Sequence, residues 1–144
     1  SEQGRGVFIL CRTSNPGGAD VQNLKVRHDG EDIPLYLKVA HLARQWDSGG
    51  GAVGLVVGAT YPAELAAVRR IVPDLPILVP GIGTQGGDLA ATLAANGSGP
   101  VLISASRSIT YAAHDGSLAD YAAAAANAAR ELRDQCAAMG ILDS

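Results

Sequence analysis

The sequence predicts an α/β fold in which parallel strands alternate with helices, and three observations predict it. Short apolar runs without polar alternation, such as Val7-Phe8-Ile9-Leu10-Cys11, suit strands buried on both faces. Segments with apolar residues at helical spacing follow them. Polar or glycine-rich loops separate each strand from its helix, and the strand-loop-helix cycle occurs four times.

The first strand, Val7 to Cys11, stops at Arg12-Thr13-Ser14-Asn15-Pro16-Gly17-Gly18. From Pro34 to Trp46, residues Leu35, Val39, Leu42 and Trp46 fall on one helical stripe, so Trp46 reads as core, and Pro34 suits the first turn. The second strand is Ala52 to Val57, followed by Gly58-Ala59-Thr60 and a helix from Pro62 to Val72 whose Leu65, Val68 and Val72 share a face. Pro73 and Pro76 end that helix. Ile77-Leu78-Val79 is the third strand, Pro80 to Gly87 a glycine-rich turn, and Leu89 to Ala95 a helix. Val101-Leu102-Ile103 is the fourth strand and Ser104 to Asp115 a polar loop. Ser117 and Asp120 resemble a capping box opening a long alanine-rich helix that Gly140 stops.

Successive parallel strands with right-handed crossovers place all four loops on the carboxyl edge of the sheet, where ligands bind in such folds. A closed (β/α)8 barrel needs eight units and typically about 250 residues. The 144 residues supply about half of that, read as a single unit over residues 1–144. Alone, four strands expose two unpaired edges, so a missing half or a partner chain is expected.

Composition narrows the function classes. With 47% apolar and 17% charged residues the chain reads as a soluble globular unit. Eleven Lys plus Arg against 14 Asp plus Glu, scattered along the chain, argue against a nucleic-acid footprint. Cys11 and Cys136 belong to no CxxC pair and read as buried free thiols in a reducing, cytoplasmic setting. No apolar run approaches a membrane span, and Ser1 to Gly6 lacks the hydrophobic stretch of a secretory signal.

Gly81-Ile82-Gly83-Thr84-Gln85-Gly86 matches GxGxxG between a strand and a helix, where glycines let backbone amides approach an anion. The acid that would hold a dinucleotide's ribose is missing, since no Asp or Glu lies between Asp88 and Asp115, and Arg107 stands there instead. A glycine-rich turn after one strand and an arginine after the next reproduce the barrel pattern in which the last two loops bind phosphate. The ordinary alternative is that the glycines only satisfy turn geometry and Arg107 makes a surface ion pair.

Thr13-Ser14-Asn15-Pro16-Gly17, Val57-Gly58-Ala59-Thr60, Val79-Pro80-Gly81-Ile82-Gly83-Thr84-Gln85-Gly86-Gly87-Asp88 and Ser106-Arg107-Ser108-Ile109 resemble orotidine 5'-phosphate decarboxylase, particularly its bacterial long-chain subfamily. The resemblance implies that these segments end the fifth to eighth strands of a (β/α)8 TIM barrel, this chain being its carboxyl-terminal half. It implies a lyase that converts orotidine 5'-monophosphate to uridine 5'-monophosphate (UMP) in pyrimidine biosynthesis, a homodimer of complete barrels, and no cofactor or metal. By the same resemblance Ser14 contacts the pyrimidine, Pro80 opens the phosphate loop, Gln85 reaches the phosphate and closes over the base, and Arg107 pairs with the phosphate dianion. Gly81, Gly83, Gly86 and Ser106 complete the substrate-binding set, with amides around Gly83 and Ser106 assisting.

The family's catalytic Asp-x-Lys-x-x-Asp segment is absent. Lys25 and Lys38 are the only lysines, followed at the third place by His28 and His41, so no catalytic residue is assigned and the isolated chain is expected to be inactive. Two alternatives remain open: a non-catalytic phosphate or nucleotide-binding half-barrel, and an NADP-binding domain in which Arg107 meets the 2'-phosphate. His28, Asp29, Glu31 and Asp32 lack metal-site spacing and read as an exposed turn around Gly30, with no metal assigned. Ser104, Ser106, His114 and Asp115 lack the GxSxG elbow of a hydrolase triad.

Overall fold

The computed structural model describes residues 4–47, 52–83, 87–113 and 118–140. The chain forms two compact units, Ser1–Ser104 and Ala105–Ser144. In the first, the elements run β1 (Val7–Arg12), α1 (Gly18–Gln22), β2 (Lys25–His28), β3 (Glu31–Pro34), α2 (Leu35–Trp46), β4 (Val53–Val57), α3 (Pro62–Ile71), β5 (Ile77–Pro80), α4 (Leu89–Asn96) and β6 (Val101–Ser104). The second holds α5 (Arg107–Thr110) and α6 (Leu118–Ala138).

The four apolar runs form one parallel sheet in the order β1-β4-β5-β6, as the alternating pattern predicts. Its register aligns Ile9, Leu55, Ile77 and Val101 in one row and Leu10, Val56, Leu78 and Leu102 in the adjacent row. Successive side chains point to opposite faces, so the rows belong to different faces. Leu55 and Ile77 are buried, together with Leu65, Val68 and Val72 of the α3 segment and Leu89 and Leu93 of α4.

The expectation of strands buried on both faces needs correction. Leu10 is 66% exposed and Leu102 is 47% exposed, so the second row stays open at both ends of the sheet. The runs are apolar on both faces because both faces suit burial, yet of these two rows only Leu55 and Ile77, on the middle strands of one face, are fully buried.

The helical stripe of α2 is also displaced from its predicted position. Tyr36, Ala40 and Ala43 are its buried residues, and Trp46 is 55% exposed rather than core. Spacing alone favoured the largest apolar side chains, whereas the short alanines let the helix backbone approach the sheet closely.

Between β1 and α2 lies a hairpin that the strand count omitted: β2 pairs antiparallel with β3, with His28 opposite Glu31. Asp29 and Gly30, at φ 49° and 89°, make the two-residue turn, which needs left-handed conformations that glycine takes freely and aspartate tolerates. The exposed turn expected around Gly30 is therefore present. Its carboxylates face local partners: Asp32 pairs with Arg27 at 3.3 Å, and Asp29 lies 3.6 Å from His28 Nε2.

In the second unit, the segment expected to be a polar loop contains one helical turn, α5. Thr110 N–H donates to Ser106 O at 2.8 Å and Tyr111 N–H to Arg107 O at 3.0 Å. The alanine-rich segment is the 21-residue helix α6. Gly140, at φ 79°, donates its N–H to Ala137 O at 3.0 Å beyond the end of α6, the stop its position suggested. Ser117, His114 and Asp115 lie outside the described residues. Among the described residues, no helix is long and apolar enough to cross a membrane.

Cys11 and Cys136 are free and buried, as expected. Cys11 Sγ donates to Tyr36 O at 3.1 Å, and burial pushes its thiol up to about 12. An unfolded cysteine ionises near about 8.5. A group whose pKa is raised on folding adds stability below the unfolded value and loses it as pH rises toward the folded one, here between about 8.5 and about 12. Iodoacetamide at pH 8 is accordingly expected to leave Cys11 unmodified in the native protein and to alkylate it after unfolding, as read by peptide mass. Native alkylation at the rate of a free thiol would contradict this burial.

Candidate functional site

The carboxyl ends of the strands converge because their backbones are stitched together past the last ladder bonds. Gly58 N–H donates to Arg12 O at 2.7 Å, joining the ends of β1 and β4. Ala59 N–H donates to Pro80 O at 2.9 Å, joining β4 to β5, and Pro80 lies opposite Ser104 of β6.

Glycine is required where these loops touch. A Cβ at Gly58 would stand 3.0 Å from the Cβ, N and Oγ of Ser14, so the missing side chain lets Ser14 lie directly over the β4 loop. A Cβ at Gly87 would stand 2.5 Å from Ala59 Cβ and 2.6 Å from Gly81 O, closer than real atoms approach. Gly81 and Gly83 have φ of 99° and 77°, the left-handed region open to glycine.

The turn after β5 closes on itself. Gly83 N–H donates to Gly87 O at 3.1 Å, and Gly87 N–H to Gly81 O at 3.2 Å. The Gly83 amide, expected to assist an anion, is thus engaged inside the turn. Gln85 and Gly86 lie outside the described residues.

Thr13, Ser14, Asn15 and Pro16 line a cleft of about 420 Å³ at this edge, within the usual range for a small-ligand site. The lining includes the hydroxyls of Thr13 and Ser14 and the carboxamide of Asn15, of which Thr13 Oγ1 and Asn15 Oδ1 bond to each other.

Of the predicted site residues, Ser14, Pro80, Gly81 and Gly83 belong to this edge of the first unit. Ser106 and Arg107 belong to the second unit, where Ser106 precedes α5 and Arg107 opens it. Arg107 is exposed, and among the described residues it has no ion-pair partner. Neither lysine adjoins the Ser14 cleft: Lys25 is on the hairpin, and Lys38 Nζ lies 3.2 Å from His28 Nδ1.

Arg12 and Gln22 escaped the sequence reading although they hold the Ser14 loop in place. The available signal was an arginine where the apolar run of β1 would otherwise continue. Its guanidinium is buried and lies 3.9 Å from the ring centroid of Tyr61, a cation–π contact.

The profile of the Orotidine 5'-phosphate decarboxylase / HUMPS family matches residues 1–133. The orotidine 5'-phosphate decarboxylase of Thermomicrobium roseum is 54% identical over 137 residues, covering 93% of this chain and 47% of that protein. Its counterpart in Cupriavidus taiwanensis is 53% identical over 134 residues, covering 90% and 46%. Among solved structures, Leishmania donovani OMP decarboxylase aligns with a TM-score of 0.73 at 41% identity, over 93% of this chain and 48% of that one. Leishmania donovani UMP synthase aligns with a TM-score of 0.72 at 45% identity, over 89% of this chain and 27% of that one. The chain spans about half the length of the curated relatives it matches. With four parallel strands in sequence order, glycine-dependent loops on their carboxyl edge and this degree of identity, the chain belongs to the Orotidine 5'-phosphate decarboxylase / HUMPS family and supplies about four βα units of its (β/α)8 barrel.

Proposed function

We propose that this chain is the carboxyl-terminal half, the fifth to eighth βα units, of an orotidine 5'-monophosphate decarboxylase, and that it grips the substrate without supplying the proton donor. The observation that carries this reading is the seating of Ser14 against Gly58 beside the glycine-dependent turn of β5, in a chain of this family. Ser14 meets the pyrimidine edge. The loop from Pro80 through Gly81, Gly83, Gln85 and Gly86 encloses the phosphate, and Ser106 with Arg107 neutralises it.

Decarboxylation breaks the bond between C6 and the carboxylate carbon, carbon dioxide leaves, and C6 takes a proton to give UMP. The Asp-x-Lys-x-x-Asp segment of the remaining half delivers that proton, because neither Lys25 nor Lys38 has the motif around it. Grip on the phosphate and base contributes to rate by fixing C6 where the donor stands. No metal or cofactor takes part.

The remaining half packs against the open row of Leu10, Val56, Leu78 and Leu102 and pairs with the free edges of β1 and β6. The complete barrels form a homodimer in the cytoplasm. A non-catalytic binding module and an NADP-binding domain are not favoured, since the matched relatives carry the decarboxylase name over nearly the whole of this chain.

Intact mass under denaturing conditions, paired with an assay of carbon dioxide release from orotidine 5'-monophosphate, tests this reading. The protein containing both halves is expected to turn substrate over, and this chain alone to bind UMP without turnover. Turnover by this chain alone would remove the division of labour. A complete protein that neither binds UMP nor decarboxylates would remove the enzyme.

A further inference from the structure

A buried arginine is costly, and Arg12, at the end of β1, is only 1% exposed. An apolar residue would continue the run of β1 without that cost. What the arginine gains is a set of contacts with the loop carrying Ser14 and with the βα unit that follows.

Arg12 NH1 donates to Thr13 O at 3.2 Å and to Gln22 Oε1 at 3.0 Å. Gln22 grips the same residue from the other side, Oε1 accepting Thr13 N–H at 3.0 Å and Nε2 donating to Thr13 Oγ1 at 2.9 Å. Thr13 Oγ1 in turn donates to Asn15 Oδ1. Gly18 leaves room for the clasp: a Cβ there would stand 2.8 Å from Thr13 Oγ1 and 3.2 Å from both Arg12 NH1 and Gln22 Oε1.

The other side of the guanidinium reaches the next βα unit. It lies over Tyr61, and its NH2 is 4.0 Å from Glu64 Oε1 at the start of α3. Arg12 therefore ties the β1 loop to the segment that follows Gly58. Ser14 is held between a clasped Thr13–Asn15 frame on one side and the Gly58 backbone on the other.

We infer that Arg12 and Gln22 are positioning residues for base discrimination: by bracing Thr13 they fix where Ser14 stands, and through Ser14 they set how well the pyrimidine ring is recognised. This rests on the assignment of Ser14 to the pyrimidine made above. Neither side chain touches the ligand; both act through the loop.

The test compares UMP with ribose 5-phosphate, which keeps the phosphate and sugar but lacks the base, by titration calorimetry on the protein containing both halves. Gln22→Ala removes the clasp from a half-exposed position and leaves Arg12 its contacts with Thr13 O, Glu64 and Tyr61, so it keeps the test open should an Arg12 variant unfold. Arg12→Lys keeps the charge and loses the planar fork. Each is expected to weaken UMP by about threefold to tenfold, the loss of a fixed hydrogen bond, with ribose 5-phosphate changed by less than about twofold.

Gln22→Ala combined with Ser14→Ala is expected to lose no more UMP affinity than Ser14→Ala alone, because both act along one path. Equal weakening of both ligands, or unchanged UMP affinity in the Gln22 and Arg12 variants while Ser14→Ala loses it, overturns the inference and leaves the decarboxylase reading standing. A Ser14→Ala variant that keeps the full preference for UMP overturns the pyrimidine assignment, and the inference falls with it.

Discussion

Arg107→Ala in the complete protein is expected to weaken UMP binding by about a hundredfold and uridine binding by less than about threefold. Truncating one member of a charge-assisted pair costs roughly 2–5 kcal/mol, and every 1.4 kcal/mol is about tenfold. Under the proposed reading the two ligands differ because only UMP carries the phosphate assigned to the guanidinium. Arg107 opens α5, three residues beyond the end of β6, and is exposed without an ion-pair partner among the described residues. The absence of any Asp or Glu between Asp88 and Asp115 keeps the adjoining sequence free of competing carboxylates.

A phosphate monoester takes up its second proton near about pH 6. Affinity for UMP is therefore expected to fall as pH drops through that value, and to fall less steeply in Arg107→Ala, where the extra negative charge has lost its partner. Calorimetry at pH 5.5 and pH 7.5 on both proteins checks the two expectations together. Equal losses for UMP and uridine would transfer the phosphate role to another group.

Arg69→Leu is expected to cost about 3 kcal/mol or more of stability, lowering the urea midpoint by roughly 1–2 M, with UMP affinity changed by less than about twofold. Arg69 is 8% exposed and holds the opposite, amino-terminal edge of the sheet. Its NH1 donates to Val72 O at 2.9 Å, Pro73 O at 3.2 Å and Leu75 O at 2.7 Å, on the segment entering β5. NH2 donates to Pro100 O, just before β6, at 2.9 Å. Nε and NH2 both donate to Asn96 Oδ1, at 3.2 and 2.7 Å, and Asn96 passes the contact on to Gly99 O at 2.7 Å.

Leucine fills a similar volume but donates nothing, so these buried acceptors would be left without their donor, each at a desolvation cost. The absence of a side chain at Gly99 makes room for the guanidinium, since a Cβ there would lie 2.5 Å from Arg69 Cζ. A loss below about 1 kcal/mol would mean that water replaces the guanidinium. A large loss of UMP affinity in the folded variant would mean that the two edges of the sheet are coupled. In a barrel of this type the carboxyl edge carries ligand contacts and the amino edge carries stability, and Arg69 stands on the amino edge.

By itself the sequence determined the order and kind of the main elements. Apolar runs at 7–11, 52–57, 77–79 and 101–103 could be read because a strand's pattern depends only on near neighbours along the chain. The helical face of Leu65, Val68 and Val72, the glycines at 81 and 83 whose backbone is left-handed, and the stop at Gly140 were legible for the same reason. Arg107 was legible from its place after the fourth strand, whereas Ser14 was singled out through the family resemblance of its segment.

Only the tertiary structure decided which of the possible faces was used. The stripe on α2 moved to Tyr36, Ala40 and Ala43 because a sheet surface selects small residues that let the helix approach. The hairpin of β2 and β3 stayed hidden because its strands are half-polar and only one side of each is covered. Gly58 and Gly87 owe their necessity to Ser14 and Ala59, residues distant in sequence that periodicity cannot see. Arg12 and Arg69 drew no reading from the sequence, because the side chains that hold them lie 10 and 27 residues away. Local spacing encodes which elements form; hydrogen bonding and close packing between distant segments determine what each side chain does.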